Sequence, residues 1–342
     1  MIKRNDDANA KRNTRVYFML TAVLLVLFVG SFAIGRYAVP LREVIRILLS
    51  RVFRIEKTWT DAMESAVINI RLPRIILACL VGACLSAAGT AYQSIFRNPM
   101  ASPDILGASS GACFGAALSI LLGFSKTRIM ITSFIASLLT VSLVYYIGSR
   151  IRNRDTVSII LSGIMVSSLV NAGTSYVKLV ADPTDQLPAI TYWLMGSLSG
   201  SKTDDLYKAF IPMALGLLTL FLLRWRINLL TVSEEEAMSM GIEPVRLRFA
   251  VIVSATFVTA SAVAVSGMIG WVGLVIPHVC RKLSGNNCYY LVPSTMLAGA
   301  SFMLLVDNIS RNLLMTEIPI GILTAFIGAP FFIYLLSGKE NI

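Results

Sequence analysis

The chain has 342 residues, of which 56% are hydrophobic and 14% charged, against roughly 25% charged in soluble domains. With a mean hydropathy of +0.72, this composition excludes a soluble enzyme, a secreted disulfide scaffold and a nucleic-acid binder. The net charge of +11 is therefore read as a marker of loops and orientation.

A bilayer core of roughly 30 Å takes about 20 apolar residues per helix. Charge-free stretches run over 16–35, 75–96, 105–124, 129–149, 156–177, 209–223, 249–280, 289–306 and 318–337. The first follows a basic segment, but its apolar run of about 20 residues exceeds a signal-peptide core, so it is expected to stay as a span. Between the first and second spans, Val39, Val44, Ile45, Leu48, Leu49 and Val52 recur near helical spacing with Arg42, Arg46 and Arg51 between them. That pattern predicts an amphipathic helix lying on the membrane surface. The stretch 249–280 would make a rod of about 48 Å, too long for one crossing. Gly267, Gly270, Gly273 and Pro277 offer places to break it, and division near 268–270 gives ten spans.

The expected architecture is an all-α integral membrane protein of about ten transmembrane helices, with both termini on one side. With the N-terminus inside, the inner segments hold 16 Lys and Arg and the outer ones 14, of which eight lie in 36–74. Setting that connection aside favours N-in and C-in. The chain then reads as a cytoplasmic tail 1–15, one permease domain 16–338 and a tail 339–342. Ala88-Gly89 with Pro99, and Ser266-Gly267 with Pro277 at the same offset, suggest an inverted repeat.

Few motifs carry chemistry. LMGSLSGSKT fails as a phosphate loop because Ser201 separates Gly200 from Lys202. The five cysteines, Cys79, Cys84, Cys113, Cys280 and Cys288, form no C-x-x-C pair, so neither a disulfide framework nor a metal site is expected. His278 is the only histidine, and packing or a helix-end hydrogen bond is its expected role. NLLTVSEEEAMSMGIEP (228–244) predicts a helix of about two turns. Ser233 with Glu236 fits a capping box, Glu234 and Glu235 complement the helix N-terminus, and Gly241 followed by Pro244 ends it. Arg71 and Arg74 precede the second span and Arg311 follows the ninth; they serve either an acidic partner or interfacial anchoring. No charge sits in mid-span, which argues against coupling through buried carboxylates. Small and hydroxyl residues of the fifth span, Thr156, Ser162, Ser167 and Asn171, are the expected pore lining, because a pore must bind its cargo weakly.

Taken together, RLPRIILACLVGACLSAAGTAYQSIFRNPMASPDILGASSGA (71–112), GSLSG (196–200), NLLTVSEEEAMSMGI (228–242), SGMIGWVGLVIPHVCRKLSG (266–285) and IPIGILTAFIGAPFFIYLL (318–336) resemble the FecCD family, permease subunits of ABC importers for iron-siderophores, haem and cobalamin. The resemblance implies a multi-pass protein of the cell membrane that pairs with a second permease, as a homo- or heterodimer, with the pore between them. It implies two cytoplasmic ATPase subunits, an extracytoplasmic binding protein, no cofactor and no enzymatic activity of the permease itself. Ser233, Glu234, Glu235, Glu236, Ala237, Met238 and Gly241 match the coupling helix that meets the ATPase. Arg71, Arg74 and Arg311 match arginines that pair with glutamates of the binding protein. Thr156 falls at the cytoplasmic gate, where Val157 replaces the second hydroxyl residue of the pattern. An iron-siderophore is the first choice of substrate, and an ion-coupled secondary transporter is the alternative reading.

Overall fold

The computed structural model describes residues 2–35, 37–51, 53–150, 156–231, 234–241 and 243–337. Helix α1 (Ile2–Ala33) is followed by short α2 (Leu41–Leu49). Helix α3 (Asp61–Ser65) runs through a π turn (Ala66–Arg71) into α4 (Leu72–Ile95). Pro73 sits in the first turn of α4, where it lacks an N–H and its ring crowds the carbonyl four residues back; the wide turn just before it accommodates both. A 3-10 turn (Pro103–Leu106) leads to α5 (Ala108–Leu121), α6 (Lys126–Arg150), α7 (Thr156–Val180) and the short α8 (Gln186–Leu194). The remaining helices are α9 (Thr203–Leu229), α10 (Glu234–Ser239), α11 (Pro244–Ser266), α12 (Val272–Ser284), α13 (Cys288–Asn312) and α14 (Ile320–Ser337).

A helix occupies each of the ten expected stretches. Among the described residues, seven helical segments are long and apolar enough to cross a membrane: Ala10–Ala33, Asp61–Ile95, Lys126–Arg150, Val157–Val180, Thr203–Leu229, Pro244–Ser266 and Cys288–Asn312. The stretch 249–280 breaks at 267–271, where Gly267 and Trp271 both take positive φ, +69° and +70°. Helices α2, α3, α8 and α10 lie outside the charge-free stretches. Helix α2 forms where the amphipathic pattern predicts it, and α8 follows a tight turn at 182–185.

Helix α4 is the centre of the bundle, with 20 of its 24 residues buried. Lipid tails are as apolar as leucine, so helices in a membrane are held by close backbone approach. Here a Cβ on Gly82 would lie 2.1 Å from the carbonyl oxygen of Gly299 on α13, and one on Gly89 would lie 1.9 Å from that of Gly273 on α12. Both seams require glycine. Between them Thr90 donates to Thr295 at 3.1 Å and Gln93 to the Gly273 carbonyl at 3.1 Å. The two copies of the suggested repeat sit in unlike settings. Gly89 lies inside α4 against α12, whereas Gly267 terminates α11, so these residues do not mark equivalent positions.

Helix α13 sets the two ends of the bundle. Near its start, Tyr17 of α1 donates to the Tyr290 carbonyl at 3.0 Å, and Asn228 of α9 accepts from the Cys288 amide at 3.2 Å. Helix α10, which continues from α9, is therefore at this end. The C-terminus of α13, about 37 Å away for 25 residues, meets the C-terminus of α1 and the N-terminus of α4.

Candidate functional site

At that far end the three sequence-selected arginines come together. Arg71, Arg74 and Arg311 are only 5%, 6% and 7% exposed. Arg74 donates from Nε to Asp307 Oδ1 at 2.9 Å and from Nη1 to Glu317 Oε1 at 2.9 Å. Arg311 lies 3.2 Å from Asp307 Oδ2 through its Nε and donates to Asn308 Oδ1. Asn308 in turn donates to Ser31 of α1 at 2.7 Å. Arg71 donates to the carbonyl oxygens of Phe32 and Tyr37. A Cβ on Gly35 would stand 2.8 Å from its guanidinium, so glycine at 35 makes room for it.

This geometry alters the sequence reading of the arginines. Among the described residues, all three are packed inside the chain: Asp307, fully buried, and Glu317 hold Arg74 and Arg311, and the Phe32 and Tyr37 carbonyls hold Arg71 beside them. Arg74 and Arg311 nevertheless reach the rims of two hollows, one shared with Asn69 and Thr203, the other with Leu313 and Met315. Sequence reasoning missed Asp307, Asn308 and Glu317. The signal for Asp307 was its position four residues before Arg311, on the same helix face.

Helix α10 is six residues long, too short to persist alone. Ala237 is buried against the bundle, whereas Met238 and Met240 are 57% and 51% exposed. Gly241 takes φ +77° and its amide donates to Met238 O at 2.9 Å, closing the helix as the sequence predicts. Ser239 Oγ bonds Glu236 O at 2.7 Å, and Glu236 is exposed. Pro244 then opens α11, where Glu243 pairs with Arg246 at 2.8 Å. The capping residue Ser233 lies outside the described residues, as do the side chains of Glu234, Glu235 and Thr156.

Of the expected pore residues on α7, the structure places two elsewhere. Ser162 is 1% exposed and bonds Ser158 O at 2.8 Å. Ser167 points its Oγ at Gly107, where a Cβ would lie 2.7 Å from it. Both face the chain's own bundle instead of an open face, because small hydroxyl residues are also what close helix packing in a membrane selects. Asn171 does lie on the open face. Its polar companions there are Ser168 and Ser175, one helical turn to either side.

Three of the glycine motifs are backbone contacts. The Ser197 amide donates to Ser266 O at 2.7 Å, Ile320 to Gly196 O at 2.8 Å and Gly321 to Met195 O at 3.2 Å. A Cβ on Gly196 would meet Met268 O at 2.3 Å, and Gly196 takes φ +72°. GSLSG, SGMIG and IPIG therefore interlock as loops, and their glycines serve the fold. His278 packs edge-on against Phe331, ring centroids 6.3 Å apart.

The FecCD transport family model matches residues 23–338. A molybdate import system permease, MolB of Haemophilus influenzae, is 41% identical over 319 residues, 93% of this chain and 94% of that protein. A Helicobacter pylori (strain ATCC 700392 / 26695) protein named as a probable iron chelatin transport system permease is 44% identical over 282 residues, 82% of this chain and 85% of its own length. Other relatives carry names for cobalamin and hemin import. A solved structure described as an inward-facing ABC transporter of metal-chelate type superposes with a TM-score of 0.85 at 39% identity, covering 94% of this chain and 99% of that one. The chain belongs to the FecCD transport family and is a multi-pass cell-membrane permease subunit of an ABC importer, a class of subunit that is not itself an enzyme.

Proposed function

We propose that this chain is one half of a ten-span permease pair, N-in and C-in, that carries an iron-siderophore delivered by an extracytoplasmic binding protein. The observation that carries the reading is α10, a short helix anchored by Ala237 and presenting Met238 and Met240 to the outside. Adaptable methionines beside exposed Glu236 suit a groove on an ATPase subunit, where ATP hydrolysis takes place. At the opposite end, the rims of the two hollows that Arg74 and Arg311 line suit a carboxylate of the binding protein. The pore runs along the open face of α7 between two permease copies, lined by Ser168, Asn171 and Ser175 with no fixed charge.

The H. pylori relative's name supports an iron chelate. A second reading, molybdate, is supported by the H. influenzae relative, which matches 93% of the chain. Proteoliposomes holding the permease with its ATPase and binding protein test both. ATP-dependent accumulation of iron-siderophore, abolished by Met238→Ser with Met240→Ser, is the expected result. Accumulation of molybdate in its place selects the second reading. Uptake that follows an ion gradient without ATP overturns both in favour of a secondary transporter.

A further inference from the structure

The basic segment after α1 is not used by any site above, and its geometry is unusual. Helix α2 is divided around its circumference into three sectors, since successive residues advance by about 100°. Val44 and Ile47 are fully buried and Leu48 partly so, against α1 and the π turn. Leu41, Ile45 and Leu49 fall within about 80° of one another and are 44%, 45% and 43% exposed. Arg42 and Arg46 occupy the next sector, beside that apolar stripe. Phe53, its amide bonded to Leu49 O at 2.8 Å, leaves an exposed ring just beyond the helix.

The segment is anchored, so this exposed face is held in place. Arg46 donates to Thr58 at 2.6 Å, Thr58 to Glu43 at 2.7 Å, and Lys57 pairs with Asp61 and Glu64 at 2.5 and 3.0 Å. Those bonds occupy Glu43, Asp61 and Glu64, and leave exposed Glu56 out. Arg42 and Arg54 remain exposed with no carboxylate partner among the described residues. Helix α2 packs on α1, whose Leu25, Val26 and Val29 are exposed in a helix apolar enough to cross the membrane.

We infer that α2 is an interfacial helix that binds anionic phospholipid, with Leu41, Ile45 and Leu49 among the acyl chains and Arg42 and Arg54 on the headgroup phosphates. An apolar sector bordered by arginine matches the depth profile of a lipid leaflet, apolar below and anionic above. A soluble protein partner offers no such layered surface. The inference is independent of which side of the membrane this end faces and of the substrate.

Two measurements on the full-length permease in nanodiscs test it. A fluorophore on Ile45→Cys should be quenched by phosphatidylcholine brominated in its acyl chains, and one on Glu56→Cys should not. Native mass spectrometry from discs of phosphatidylcholine with phosphatidylglycerol should show preferential retention of phosphatidylglycerol. That preference should fall about fivefold for each arginine removed in Arg42→Gln and Arg54→Gln, with an unchanged thermal unfolding midpoint. An Ile45 label that lipid does not quench, or that is shielded only on adding the binding protein or on raising permease concentration, overturns the inference in favour of a protein interface. An unchanged lipid preference in the double variant overturns it as well.

Discussion

The two ends of the bundle are built on opposite physical principles. At the arginine end, side chains from α1, α4, α13 and the 317 loop close a nearly dry network around Asp307. At the other end, α10 is held through one buried alanine and leaves two methionines in the open. Buried charge is tolerated only when its partners are already in place, because an uncompensated ion in a low dielectric costs several kcal/mol. An apolar contact has no such requirement and can stay exposed until a partner covers it. One end is therefore closed by charge pairs within the chain, with only its rim left to a partner, and the other leaves an apolar contact open for assembly.

The sharpest way to break this contrast is Asp307→Ala. It removes the carboxylate shared by Arg74 and Arg311, and should lower stability by about 3–5 kcal/mol. A large fall in the thermal unfolding midpoint of the reconstituted permease is the expected outcome. A change below about 1 kcal/mol would mean that water or lipid phosphate already screens the cluster, and that the arginine end is not a dry network.

Gly241→Val applies the same logic to the opposite end, on a smaller scale. A β-branched residue at φ +77° costs about 1–2 kcal/mol. Because α10 touches little else, the cost should appear locally, with the global unfolding midpoint nearly unmoved. Hydrogen exchange of residues 234–241 should rise about tenfold, the factor that 1.4 kcal/mol supplies. A fall in the global midpoint comparable to that of Asp307→Ala would erase the distinction between the ends.

How much of this was legible beforehand differs between residues for physical reasons. Span positions follow from apolar length, and the break at 267–271 from a stretch too long for one crossing. Gly241 was legible because a C-cap is a local device. The partners of Arg74 were not, since Asp307 and Glu317 lie 233 and 243 residues away in sequence. The expected pore residues Ser162 and Ser167 differ from Asn171 in helix phase. Ser162 and Asn171 are chemically similar signals, but in a membrane a small hydroxyl residue serves packing and pore alike. Only the burial of one helix face separates them.

A carboxylate of the opposite kind completes the comparison and sets the smallest effect. Asp182 is exposed, in the turn between α7 and α8, and its Oδ1 accepts from the Thr184 amide at 2.7 Å, the Thr184 hydroxyl and the Asp185 amide at 3.1 Å. The Thr184 hydroxyl first, and then these amides, hold its carboxyl below the usual range. A carboxyl lowered in the folded state stabilises fully above its unfolded value, about 4, and loses that contribution as pH falls through the folded value. Exchange in residues 182–187, corrected for intrinsic rate, should therefore be flat from pH 7 to 5 and rise only below about 4. Asp182→Asn should abolish that pH step while raising exchange slightly at neutral pH, because an amide oxygen accepts the same bonds more weakly. If the step persists in Asp182→Asn, it does not come from Asp182, and the turn is held by backbone geometry instead of by the charge on Asp182.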